Sequence, residues 1–390
     1  MRMFGSATPA SAYPSGGKVP LPLAIVLSAC LSAGAPALAQ DRPTAPQPPA
    51  TLHFRQMSDA SAAVALADNE FIAADDETNV LRVYRLNAAP APVASYDLTS
   101  FLAVDPKHPE TDLEGAARSG DRVYWISSHG RDKDGDLRPS RYRFFATQVR
   151  LDGTQWRIEP AGRPCRRLLE AILEQPWADE LHLPQAARLA NDNLLTRKER
   201  EQLAPKRQGV NIEALAFGPD GRTLYIGFRN PRPVHPRLHR PCALVVPLKN
   251  PAALVETAAP PLFQRPLLWD LDGLGVRSME YSPPHQTVFI VAGPSDETRR
   301  FALYRWSGNE QEQPTLVRPL ENPDHFTPES VVPFAGSPLL LLLSDDGTLP
   351  IPVAGPDECQ PGQINADGTC PNKCLLDIQR RQFRAMWLQP

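Results

Sequence analysis

The chain has 390 residues, a formal net charge of -3 and 44 prolines, about 11% where roughly 5% is usual. A hydrophobic fraction of 42% is ample for a buried core and excludes wholesale disorder. The near-neutral charge excludes the long-range positive field of a nucleic-acid binder. Proline at this density opposes long helices, because it lacks an N–H and clashes with the preceding turn. It suits many short strands joined by many loops.

Arg2 and Lys18 precede an apolar run from Leu21 to Leu27 that is too short to span a bilayer. Ala37-Leu38-Ala39 has the small-x-small form of a cleavage site, so residues 1–39 read as a signal peptide. A second reading excludes the first. Leu27-Ser28-Ala29-Cys30 resembles a lipobox, which would end the leader before Cys30 and leave a lipid anchor there, at the outer membrane. Either reading exports the protein to the periplasm or beyond, and no later stretch reads as a transmembrane span. Residues 40–51 form a proline-rich lead-in, and residues 52–390 a single domain.

Five further cysteines, Cys165, Cys242, Cys359, Cys370 and Cys374, read as structural disulfides in an exported protein. The last three would staple the segment between Glu358 and Leu375. Their number is odd, and spacing does not give the pairing.

The body of the chain repeats one plan: a polar residue, any residue, Glu, a few small or apolar residues, a turn and a β-rich run. Copies begin at Asp112, Asn211, Ser278 and Thr327, each leading to a strand such as Val123–Ile126 or Val288–Val291. A weaker first copy begins at Asp59, with Ser61 in the glutamate's place. Alternating third strands follow at Val80–Leu86, Tyr142–Val149, Ala243–Leu248 and Phe301–Trp306, with outer strands at Val93–Leu98, Trp156–Glu159 and Thr315–Arg318. Four antiparallel strands recurring without crossover helices predict an all-β fold, a β-propeller of five blades, with six as the alternative. Thr51–Phe54 or Phe383–Leu388 is placed to complete the fifth blade. Glu114 to Glu213 spans 99 residues, against 67 and 49 for the next glutamate intervals. The excess falls in a helical insertion, 165–205, which either caps the propeller or hides a degenerate blade. Leu168, Leu169, Ile172 and Leu173 share a helix face there, and Pro176 and Pro184 divide it.

In such a hairpin the first strand starts and the second ends on one face of the disc. Glu114, Glu213, Glu280 and Glu329 should therefore converge on the axis, with Asp112 and Asn211 beside them. Asp75, Asp76, His129, Arg131, Arg229, Asn230, Ser295, Asp296, Asp345 and Asp346 should reach the same rim. Crowded carboxylates need a cation, arginines or raised pKa values. An all-oxygen set suits calcium better than zinc or copper. The expected metal ligands are Asp112, Glu114, Asn211, Glu213, Glu280 and Glu329, and Arg131, Arg229 and Arg277 are competing neutralisers. The same glutamates would also serve as inter-blade hydrogen-bond acceptors with no metal. The run Asp132-Lys133-Asp134-Gly135-Asp136 fails the EF-hand spacing and reads as a loop. No hydrolase elbow, His-Glu-x-x-His pair or nucleotide fingerprint occurs.

Asp112-Leu113-Glu114-Gly115-Ala116, Ser128-His129-Gly130-Arg131-Asp132, Asn211-Ile212-Glu213-Ala214-Leu215 and Gly293-Pro294-Ser295-Asp296 resemble a bacterial family known as domain of unknown function 3616. The resemblance covers about Ser58 to Trp387, and the family carries no established activity. More distantly, the Asp-x-Glu-Gly motif is similar to that of phytase-like esterase propellers, whose channel binds calcium and acidic substrates. That similarity implies metal or substrate ligation at Asp112 and Glu114.

Two functions follow as expectations. One is a monomeric module that binds a small anionic or ester ligand, or an envelope protein, at a calcium-holding face. The other is a calcium-dependent phosphoesterase or ester/lactone hydrolase, with His129, Arg131 and Arg229 as its catalytic residues. An open pocket with basic groups facing the metal would favour the hydrolase, and a sealed channel the module.

Overall fold

The computed structural model describes residues 51–390 apart from 297 and 322; both readings of the leader lie outside those residues. The strands run in chain order. β1 (Leu52–Arg55) stands apart from the first hairpin. Blade 1 is β2 (Ala62–Ala67), β3 (Glu70–Ala74), β4 (Val80–Arg85) and β5 (Ala94–Asp97), followed by the short helix α1 (Thr99–Leu102). Blade 2 is β6 (Leu113–Ser119), β7 (Arg122–Ser127), β8 (Phe144–Asp152) and β9 (Gln155–Cys165). Four short helices come next: α2 (Leu168–Leu173), α3 (Pro176–Glu180), α4 (Leu183–Ala187) and α5 (Arg197–Gln202). Blade 3 is β10 (Asn211–Phe217), β11 (Leu224–Asn230), β12 (Ala243–Leu248) and, after α6 (Pro251–Glu256), β13 (Leu267–Trp269). Blade 4 is β14 (Gly275–Ser282), β15 (Thr287–Gly293), β16 (Phe301–Trp306) and β17 (Thr315–Leu320). Blade 5 opens with β18 (Pro328–Pro333) and β19 (Leu340–Ser344). An excursion with the hairpin β20 (Pro350–Pro352) and β21 (Thr369–Pro371) follows, and then β22 (Gln382–Leu388).

The fold is thus a five-bladed β-propeller, each blade a four-stranded antiparallel sheet. The inner strands β2, β6, β10, β14 and β18 pack in a closed cycle. The second strands are buried on both faces between neighbouring blades, as in Leu224–Asn230 and Leu340–Ser344. That double burial is why they read as nearly unbroken apolar runs.

Both candidate strands complete blade 5. β22 pairs with β19, and β1 adds outside it, with Leu52 opposite Ala385 and Phe54 opposite Phe383. The last blade therefore joins the two ends of the ring. Phe54 stacks on Phe383 at 5.2 Å and meets the edges of Phe71 (5.2 Å) and Tyr84 (5.3 Å) from blade 1. One buried aromatic cluster ties blade 5 to blade 1.

The insertion forms short helices and, among the described residues, no strand, so it is not a sixth blade. Leu168, Leu169, Ile172, Trp177 and Ala186 join the core shared by Tyr142, Phe144, Ile212 and Phe228, so it covers the junction of blades 2 and 3. Pro176 and Pro184 sit in first turns, and Thr196 caps α5 in a capping box with Glu199. Cys359 and Cys370 form a disulfide in the excursion, with Cα atoms 5.9 Å apart. Cys165, Cys242 and Cys374 are free thiols. No helix among the described residues is long and apolar enough to cross a membrane.

Because Phe54 links both ends of the ring, Phe54→Ala is expected to cost about 3–5 kcal/mol, read from urea unfolding at constant m value. A loss under about 1 kcal/mol would show that closure rests elsewhere.

Candidate functional site

Four of the five inner strands break register near their first residues. The ladder shifts between Leu113 and Gly115, Ile212 and Ala214, Val276 and Ser278, and Pro328 and Ser330. The residues skipped are Glu114, Glu213, Arg277 and Glu329. A bulge of this kind leaves one residue unpaired and re-aims its side chain. In blade 1 the matching place is Ser61, just before the first ladder pair, Ala62 with Ala74; its carbonyl accepts from the Ser330 hydroxyl at 2.9 Å. The sequence register assigned Glu280 to this ring. The structure instead puts Arg277 there, with Glu280 three residues further along β14.

Glu114, Glu213 and Glu329 each place a carboxylate oxygen within 4.8 Å of the others, and all three are buried. The guanidinium of Arg277 lies 3.3 Å from Glu213 Oε2 through Nε and pairs with Glu329 through Nη2. Arg229 Nη1 reaches Glu213 Oε1 at 2.7 Å, and Asn211 Nδ2 donates to the same oxygen at 2.6 Å. Burial opposes charge on Arg277, but Glu213 and Glu329 hold its pKa well above the ordinary value. Burial pushes Glu329 up to about 8, Arg277 opposing and Asp345 and Glu213 assisting.

Glu114 differs from its two neighbours. It is 8% exposed, and its carboxylate has no hydrogen-bond or ion-pair partner among the described residues. Burial first, then Glu213, Asp112 and Glu329, raise its pKa well above the usual carboxylate range. It borders a cavity of about 10 Å³, room for one water-sized occupant. Ser61, Glu213, Ser278 and Ser330 line it as well, among small and apolar residues of the inner strands such as Ala62, Gly115 and Met279. Asn211 Oδ1 and Glu213 Oε2 are buried without hydrogen-bond partners.

Asp112 sits one step outward with φ 56° and accepts from the Ser128 hydroxyl and from Arg141 Nη1, the latter at 3.0 Å. Arg141 also pairs with Glu110, whose pKa burial and Asp112 push up to about 7. Asp59, Asp76 and Glu77 form a second group of carboxylates within 4.8 Å of one another. Lys373, carried by the excursion, reaches Glu77 Oε1 at 2.7 Å. Asp345 bridges Asp59 and holds the Gly347 N–H. On this face Asp59, Asp75, Asp76, Glu77, Glu110, Asp112, Glu114, Glu213, Glu329 and Asp345 face Arg82, Arg141, Arg229, Arg277 and Lys373. Carboxylates outnumber the cations two to one.

The remaining residues named from sequence have other neighbours. Glu280 is half-buried; its Oε1 accepts from the Tyr281 N–H at 3.2 Å, and its Oε2 is buried without a partner. His129, 1% exposed, holds Nδ1 against the Ser127 carbonyl at 2.8 Å and packs edge-on to Tyr142. Burial pushes its pKa down to about 4. Arg131 bonds the carbonyls of Gly135 (3.0 Å), Arg188 (3.2 Å) and Ala187 (3.3 Å) and pairs with Asp192, so it pins the insertion. Arg229 donates to Pro294 O at 2.8 Å as well as to Glu213. The loop at 132–136 is an Asx turn, with Asp132 Oδ1 accepting from the N–H groups of Asp134 and Asp136. Sequence reading missed Arg141, Glu110, Glu77 and Lys373, because no repeat position marks them. Arg277 carried a signal, a charged residue just before a strand's small-residue start.

A family model described as "Protein of unknown function (DUF3616)" matches residues 177–334, from α3 to the end of β18. It is the family that the motifs resemble. No curated protein matches the sequence. Among solved structures, the Cps50 (Swd1) β-propeller domain of Myceliophteria thermophila is similar at 10% identity and a TM-score of 0.33, over 76% of this chain and 96% of that one. Kuenenia stuttgartiensis hydrazine synthase is similar at 9% and 0.34, over 77% and 60%. The hemopexin fold protein CP4 from cow pea is similar at 8% and 0.34, over 68% and 93%.

Glu213 and Glu114 should respond oppositely to loss of charge. Glu213→Gln leaves Arg229 without its carboxylate and should destabilise by about 3 kcal/mol. Glu114→Gln removes a buried carboxylate that has no direct ion-pair or hydrogen-bond partner among the described residues and should change stability by less than about 1 kcal/mol, or raise it. Chemical denaturation of the two variants side by side reads the difference, and equal losses would contradict it.

Proposed function

We propose that the propeller is a non-catalytic binding module whose channel holds one divalent cation, calcium by its donor chemistry, and whose acidic face meets the ligand or envelope partner. Glu114 carries this reading: a buried carboxylate among others, without a partner, beside a space of one water-sized occupant. Glu114, Glu213 Oε2, Glu329 and Asn211 Oδ1 offer hard oxygen donors of the kind calcium selects. The twofold excess of carboxylates over cations on this face favours added positive charge. Calcium would supply that charge and fix the donors. Arg229 and Arg277 would hold the outer oxygens of Glu213 and Glu329 in place.

The surroundings favour a module over a hydrolase. The cavity beside Glu114 has no room for an ester or phosphate. Arg131 is committed to the insertion, Arg229 to Glu213 and Pro294, and His129 to Ser127. A narrow centre with buried carboxylates suits an ion rather than an ester and stiffens the ring that presents the face.

The pH dependence follows from the raised pKa values. A carboxyl with a folded pKa above its unfolded one binds more protons when folded, so its stabilisation is lost as pH rises through the folded value. Glu329 at about 8, Glu110 at about 7 and Glu114 all act in this sense. His129 acts oppositely between about 4 and 6.5, and Asp345 titrates below its ordinary value, so the clean window is pH 6.5 to 8. Without divalent cations the melting temperature should fall across that window. At pH 8, calcium at a hundredfold excess over its Kd should restore about 2.7 kcal/mol, a shift of a few degrees. Glu114→Gln should abolish the calcium response. A melt at pH 8 that neither calcium nor chelator moves would sink the proposal. Calcium-dependent turnover of aryl phosphates or aryl esters that is lost in Glu114→Gln would establish the hydrolase instead.

A further inference from the structure

A cavity of about 580 Å³ lies far from the channel, along the outer edge of blade 3. Half-buried Leu267 and Leu268 of β13, Trp177 and Leu181 of the insertion, and Val234 and Pro236 of the loop after β11 form its walls. β13 pairs with β12 on one side only, through Ala243 with Trp269 and Val245 with Leu267. In an antiparallel pair, backbone groups of alternate residues point outward, so Leu268 and Asp270 face the cavity side. Their outward groups are already engaged by a side chain. Gln313 Nε2 donates to the Leu268 carbonyl at 3.1 Å, and Gln313 Oε1 accepts from the Asp270 N–H at 2.9 Å. A carboxamide bonding the C=O of one residue and the N–H two residues on makes the pair of contacts that a single residue of an added parallel strand makes through its own N–H and C=O. Gln313 is exposed, so displacing it uncovers no buried group.

We infer that this edge takes an extended peptide as a fifth strand, with Gln313 standing in for its backbone when the groove is free. Strand addition is a recurring way to bind peptides, with backbone bonds giving affinity and side-chain pockets giving specificity. The charges select an acidic one. Glu180 is paired with Arg265, and Glu310 accepts from the Tyr225 hydroxyl. The exposed guanidinium of Arg237 has no partner among the described residues, while His235 Nδ1 accepts from the backbone N–H groups of Arg237 and Leu238 and so adds no positive charge there. An acidic side chain at that end completes the charge pairing, and apolar side chains on alternate positions meet Trp177 and Leu181.

The probe is a fluorescein-labelled, capped pentapeptide, Asp-Val-Thr-Val-Thr, followed by fluorescence anisotropy on the full chain. Saturable binding is expected. Methylating alternate backbone nitrogens of the probe should abolish it, and Arg237→Glu should weaken it by about tenfold. Hydrogen exchange at the Leu268 and Asp270 amides should slow with the probe bound. No saturation up to about 1 mM overturns the inference. Equal binding of the methylated peptide overturns strand addition and marks a side-chain pocket, and equal binding by Arg237→Glu overturns the acidic class. None of these readouts depends on calcium.

Discussion

Closing five blades into a ring forces the first residues of five strands onto one axis, and at those positions the chain carries charge. Three glutamates and one arginine meet there, on bulges that turn their side chains out of the ladder, with Ser61 at the fifth position just before its ladder begins. Burying carboxylates together is costly unless opposite charge accompanies them. The surrounding features answer that constraint. Arg277 enters the ring itself, Arg229 arrives from the neighbouring strand β11, and Arg141 and Lys373 neutralise the next carboxylates outward. Glu114 is left over, and the functional reading rests on it.

The two long departures from the repeat serve the same face. The insertion after blade 2 packs on the junction of blades 2 and 3 and is tied down by Arg131, a residue that sequence alone assigns to chemistry. The excursion inside blade 5 is stapled by one disulfide and delivers Lys373 to the acidic group around Glu77. The insertion adds its apolar side chains to the core of blades 2 and 3, and the excursion buries only a small cluster around Cys359, Cys370 and Leu375. Each is held by a few polar anchors and one apolar contact patch. Segments held in this way open at lower free energy than the blades they cover.

Much of the fold was legible because its signals are local and repeated. Period-two strands, loops marked by proline and the recurrence of a polar-x-Glu opening lead to a propeller without any long-range information. Leu168 to Leu173 declared a helix, and Pro176 and Pro184 its breaks. Blade 4 is where local reading slipped. Ser278-Met279-Glu280 fits the repeat as well as Arg277 does, and the bulge that puts Arg277 rather than Glu280 on the axis becomes visible only when the partner strand fixes the ladder.

Local sequence signals were enough for the propeller architecture, with five blades ahead of six, for the helical character of the insertion and for the gathering of glutamates at one rim. These depend on periodicity and turn chemistry, which neighbouring residues carry. Tertiary structure decided which carboxylates touch, which arginine balances each, and that His129 and Arg131 are buried in structural contacts. It also chose Cys359 and Cys370 as the disulfide from five candidates. Those outcomes depend on distances between residues far apart in the chain. Burial then amplifies them, because a charge out of water is governed by whichever group lies within a few ångströms.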